Sequence, residues 1–97
     1  SGELYASKTL LGTLNHHTAQ QRLAHFILTL ATRFEQRGLS NRSLRLSMTR
    51  ADIANYLGLS VETVSRLLTA LQQDEVLKVD NKLVEITSME RLRQAAT

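Results

Sequence analysis

The sequence predicts a mainly α-helical domain carrying one small β-hairpin. Three observations predict it. Apolar residues recur at three- and four-residue steps over most of the chain. Residues 76–79 (Val-Leu-Lys-Val) and 83–87 (Leu-Val-Glu-Ile-Thr) are short β-rich runs separated by a turn. Threonines, serines and glycines stand where helices would start and stop.

Taken in order, residues 3–14 read as a helix, with Leu4, Leu11 and Leu14 at steps of seven and three, the spacing of a coiled-coil seam. Thr18 is the expected N-cap of a second helix, residues 19–37. Ala19, Leu23, Phe26, Ile27, Leu30, Ala31 and Phe34 form its single apolar stripe, and Gly38 stops it. Residues 39–43 read as a loop and 44–47 (Leu-Arg-Leu-Ser) as a short alternating strand. Thr49 caps a third helix, with Asp52 in the place of the acidic partner of a capping box and Gly58 at its end. Ser60 caps a fourth, over 61–73, whose buried face is Val64, Leu67, Leu68 and Leu71. Asp80-Asn81 suits a tight turn with positive φ angles. A last short helix, near 88–95, carries Met89, Leu92 and Ala95. Helix, strand, helix, turn, helix and hairpin, in that order, make the winged helix-turn-helix arrangement.

Bulk numbers narrow the function. The 97 residues suffice for one domain, and 42% of them are apolar, too many for a disordered chain. There is no cysteine. That excludes disulfides, thiolate metal sites and cysteine nucleophiles, and fits a reducing cytoplasm. No apolar run approaches the about 18 residues of a membrane span. His16, His17 and His25 have no partners at metal-ligand spacing. No phosphate loop, nucleophile motif or convergent acid pair appears, so an enzyme is not expected. The net charge is +3, unevenly placed. Residues 1–50 hold seven Lys/Arg against two acids, and residues 51–97 hold five against seven. If the second half binds nucleic acid, particular residues must do so, because the general field there is not basic.

The most constrained stretch is residues 50–69. Two helices joined by a tight turn need a small residue where they cross, here Ala54. The turn needs one that tolerates a left-handed backbone, here Gly58. The second helix needs an aliphatic residue facing the first, here Val64. Ile53, Leu57, Leu59 and Leu67 complete the apolar set. In such a unit the second helix enters the DNA major groove. Val61, Glu62, Ser65, Arg66 and Thr69 are its outward residues. Arg66 suits the paired acceptors of guanine, Glu62 the amino group of cytosine, Val61 a thymine methyl, and Ser65 a base edge. Thr49, Arg50, Ser60, Thr63 and Thr69, with Lys82 on the wing, are the candidates for phosphate contact. The plainer alternatives are capping alone for Thr49 and Ser60, a surface ion pair between Glu62 and Arg66, and solvated charge for Arg50 and Lys82.

Residues 46–68, with Met-Thr-Arg-Ala-Asp-Ile-Ala-Asn-Tyr-Leu-Gly-Leu-Ser-Val-Glu-Thr-Val-Ser-Arg-Leu-Leu, resemble the Crp–Fnr superfamily of bacterial regulators. Glu62, Ser65 and Arg66 resemble the oxygen-responsive Fnr branch. The cyclic-AMP receptor branch usually has Arg at the position of Val61 and Gly at that of Ser65. The stretch 22–45, with Arg-Leu-Ala-His-Phe and Arg-Phe-Glu-Gln-Arg-Gly, is similar to the same branch. The resemblance implies a homodimer on a two-fold symmetric site with TTGAT-like half-sites. It implies activator contact with RNA polymerase through the loop holding Leu39, Ser40, Asn41 and Arg42. It further implies that residues 1–17 are the end of a dimerisation helix and hinge, and that 18–97 form the DNA-binding domain. The sensory domain, with any iron–sulfur cluster or other effector, would precede this chain, which itself holds no cofactor. A winged helix serving protein–protein contact is the rival reading. Arg66, Arg50 and Lys82 on the outer face weigh against it.

Overall fold

The computed structural model describes residues 18–97. The helix expected over 3–14, with His16 and His17, lies outside the described residues.

Helix α1 (Ala19–Gln36) begins at Thr18, whose side chain accepts from the Gln21 amide at 3.1 Å. The Gln21 side chain accepts in return from the Thr18 amide at 2.7 Å, which completes a capping box. The helix ends one residue before the expected boundary, with Arg37 as C-cap and Gly38 at φ +75°. There the Leu39 amide reaches back to the Phe34 carbonyl (2.8 Å) and Gly38 to Glu35 (3.0 Å), a Schellman stop.

Strand β1 (Ser43–Arg45) precedes helix α2 (Arg50–Leu57). The Thr49–Asp52 capping box forms as expected, and Gly58 takes the left-handed conformation at φ 72°, ψ 33°. Helix α3 (Val61–Gln73) starts at Ser60, whose side chain accepts from the Thr63 amide. Only Gly58, Leu59 and Ser60 separate α2 from α3. Strands β2 (Leu77–Asp80) and β3 (Leu83–Ile86) form the hairpin, and helix α4 (Met89–Ala95), capped by Ser88, ends the chain.

Three expectations need correction. First, the hairpin does not stand alone: the strand expected near 44–47 joins it in a three-stranded sheet, in the order β1-β3-β2. β1 lies at 43–45 rather than 44–47 and pairs antiparallel with β3, Leu44 opposite Val84. Second, β2 begins one residue later than 76–79, and β3 stops one residue before Thr87. Val76 still extends the ladder through its carbonyl, which accepts from the Thr87 amide at 2.9 Å. Third, of the turn pair only Asn81 has a positive φ (59°). Asp80 remains in β2, paired with Leu83. Among the described residues, the other positive-φ residue that is not glycine is Glu75 (60°). It closes α3 with the same backward bonds as Gly38, Val76 to Leu71 (2.9 Å) and Glu75 to Gln72 (3.0 Å).

One apolar core unites these elements. Leu23, Leu44, Leu71, Leu77, Leu92, Val64 and Val84 are its largest fully buried side chains. Each buried aliphatic side chain of this kind stabilises the fold by roughly 1.5–3 kcal/mol. No polar or charged residue is buried among the described residues. α1 is the central support: α3, α4 and β1 all pack on it, while α2 packs on α3 and α3 on β2. Ile53, Ala54 and Val64 are buried at the α2–α3 crossing, as the motif requires. Leu57, Leu59 and Leu67 are only partly buried against the core.

Candidate nucleic-acid interface

The periodicity that buries one side of α3 exposes the other. Val64, Leu68 and Leu71 face the core. Val61, Glu62, Ser65, Arg66 and Thr69 are exposed, at the three- and four-residue steps that line one helical face. Val61 is 44% exposed, an aliphatic side chain left open on an outer surface. Neither the wing nor α4 covers this face.

Its polar groups are arranged by short-range bonds. Ser60 Oγ donates to Thr63 Oγ1 at 2.8 Å, and Arg66 Nη2 donates to the same oxygen at 3.1 Å. One hydroxyl therefore links the helix cap to the guanidinium. Arg66 is thereby tied to the first turn of α3 while remaining exposed. Thr69 Oγ1 donates to the Ser65 carbonyl at 3.0 Å. Its proton is thus occupied, and its lone pairs remain. The ion pair that would have explained Glu62 and Arg66 as mere surface charge does not form. The salt bridge among the described residues is Arg91–Glu75, at 3.4 Å. The Glu62 carboxylate accordingly stands free of Arg66, beside an N-terminus whose partial positive charge favours it.

Thr49 is exposed, and its hydroxyl is engaged by the Asp52 amide. The Asp52 carboxylate is spent within the cap, accepting from the Thr49 amide at 3.1 Å. The acid nearest the start of α2 is thus turned onto the backbone. Arg50 is placed differently from a freely solvated cation. Its Nη2 donates to the Asn81 carbonyl, at the tip of the wing, at 2.5 Å. Lys82, the next residue, is exposed in the same turn. The structure therefore brings Thr49, Arg50 and the wing tip together, and places Ser60, Thr63 and Arg66 on the first turns of α3.

Sequence reasoning missed two links. Arg50 to Asn81 spans 31 positions, and no local signal marks it. Arg22 on α1 donates through Nη1 to the Leu57 carbonyl at 2.7 Å. This places a cation at the C-terminal end of α2, where the helix dipole is negative. Of the loop residues, Leu39 is 51% exposed, and Ser40 Oγ accepts from the Arg42 and Ser43 amides at 3.1 Å each. Among the described residues, no group of three His, Cys, Asp or Glu is placed to hold a metal ion.

Comparison with known proteins agrees with this fold. The fumarate and nitrate reduction regulatory protein of Yersinia pestis is 48% identical over 96 residues, covering 99% of this chain and 38% of that protein. Its namesake from Escherichia coli strain K12 is 47% identical over the same length and shares. The chain therefore spans well under half the length of these relatives. The solved structure of FixK2 from Bradyrhizobium japonicum superposes with a TM-score of 0.78 at 31% identity, covering 99% of this chain and 47% of that one. The proteins it resembles here are named as regulators and not as enzymes. Residues 21–95 match the Crp-like helix-turn-helix domain, and this chain belongs to that family.

Proposed function

We propose that the chain is the sequence-reading end of a homodimeric bacterial transcription regulator, with α3 lying in the major groove of duplex DNA. The observation that carries this is the open outer face of α3. There Val61, Glu62, Ser65 and Arg66 are exposed together, and Arg66 is held by Thr63 rather than neutralised by Glu62. Arg66 reads guanine, Glu62 cytosine, Val61 a thymine methyl and Ser65 a base edge, in a palindromic TTGAT-like half-site. Thr49, Thr63 and Lys82 hold phosphates, Arg50 does so through N–H groups other than the one on Asn81, and Ser60 and Thr69 do so by turning their hydroxyl protons from Thr63 and the Ser65 carbonyl to the phosphate. Residues 1–17 supply the end of a dimerisation helix and hinge to the domain formed by 18–97. The loop from Leu39 to Arg42 meets RNA polymerase, and the regulator acts as an activator in the cytoplasm. Among the described residues, no helix is long and apolar enough to cross a membrane. Without cysteine, the chain has no thiolate to ligate an iron–sulfur cluster, so any such group would be held by residues outside it.

The test is duplex binding as salt is varied, with a symmetric TTGAT-like site and a shuffled duplex. Binding should weaken steeply with salt as counterions are released. Arg66→Ala should cost about 1–3 kcal/mol on the symmetric site and much less on the shuffled one. Equal losses on both would remove Arg66 from base reading. Salt-independent or absent binding by a dimeric form would favour a protein-contact role.

A further inference from the structure

We infer that Arg50 is a positioning residue, a strut that fixes the wing tip so that Lys82 meets the DNA backbone. This rests on the DNA-binding reading above. The Arg50 guanidinium crosses from the first turn of α2 to the Asn81 carbonyl. Asn81 holds the positive φ that makes the turn. The next carbonyl, that of Lys82, accepts from the Leu46 amide at 2.7 Å. Two successive carbonyls of the wing tip are thus gripped from one short segment, 46–50, one by backbone and one by side chain. A two-residue turn at the end of a four-residue strand pair would otherwise fray, because hairpin tips have few bonds of their own. The strut makes the wing tip and the start of α2 one rigid body. Lys82 then stands at a fixed offset from Thr49, and its ammonium pays less ordering entropy when it meets a phosphate.

Two measurements on the intact chain test this. The first needs no DNA. Hydrogen exchange at the Leu46 amide is compared with exchange at Ile86, whose amide bonds the Arg42 carbonyl at the other end of the β1–β3 ladder. Arg50→Ala should speed Leu46 severalfold and leave Ile86 unchanged. Arg50→Lys should do the same, because lysine keeps the charge but falls short of the Asn81 carbonyl. Unchanged Leu46 exchange in both variants overturns the strut. The second is a double-mutant cycle on the symmetric duplex. In the unsubstituted chain, Lys82→Ala should lower the salt slope by about 1.8, the share of one phosphate at each of the two half-sites. In the Arg50→Ala background it should lower it hardly at all. Additive losses would mean that Arg50 and Lys82 act separately, and would overturn the positioning role. Absence of salt-dependent duplex binding by a dimeric form of the unsubstituted chain would instead overturn the DNA-binding reading, and with it the purpose assigned to the strut. The exchange result would still decide whether Arg50 holds the wing.

Discussion

The first turn of α3 and the tip of the wing both face the proposed DNA, and they are organised in opposite ways. On the outer face of α3 the ordering bonds are local: Ser60 to Thr63, Arg66 to Thr63, Thr69 to Ser65, all within three or four residues. At the wing the bonds are long-range: Arg50 to Asn81 and Leu46 to Lys82. A helix supplies its own scaffold, so a side chain three residues away is always near. A hairpin tip does not, and must borrow rigidity from another part of the chain. The outer face of α3 is therefore self-assembled, whereas the wing depends on the tertiary fold.

The contrast can be tested by substitution. The largest effect is expected at Leu44, fully buried where β1 joins β3 beneath α1. Leu44→Ala should cost about 2–5 kcal/mol in denaturant unfolding. A loss below about 1 kcal/mol would mean that the third strand contributes little to the fold. Next comes the turn between α2 and α3. Gly58→Ala places a side chain at φ +72°, with no atom within 4 Å to obstruct it. The cost should therefore be conformational alone, about 1–2 kcal/mol. A much larger loss would point to a steric role for Gly58. The smallest effect should follow Thr63→Val, which removes the shared hydroxyl without changing shape. Stability should fall by about 0.5–1.5 kcal/mol, the net worth of a typical hydrogen bond. Affinity for the symmetric duplex should fall more than affinity for a shuffled one, as Arg66 loses its tether. An equal fall on both would leave Thr63 a capping partner only.

The same division explains what the sequence made legible. The caps at Thr18, Thr49 and Ser60, the stops at Gly38 and Gly58, and the buried stripe of α3 depend on residues within one or two helical turns, and they stood where expected. The exposure of Val61, Glu62, Ser65 and Arg66 follows from that stripe by geometry alone. Strand pairing was harder. Residues 44–47 alternate as a strand should, but nothing nearby says that Leu44 lies opposite Val84, forty positions on. Glu75 escaped notice because a carboxylate side chain is no signal for a left-handed residue. From the sequence Arg50 is expected to meet a phosphate and Arg22 has no assigned role, and only the folded backbone shows the carbonyls to which they donate.

The order of the sheet has a consequence for how many copies can share a small space. β3 lies inside, so both rims are short, three residues in β1 and four in β2. The outward side chains on these rims include Arg45, Lys78 and Asp80. Brief, charged rims offer little backbone for a neighbouring molecule to zip onto. Crowded side by side, such domains would stay separate rather than join into ribbons.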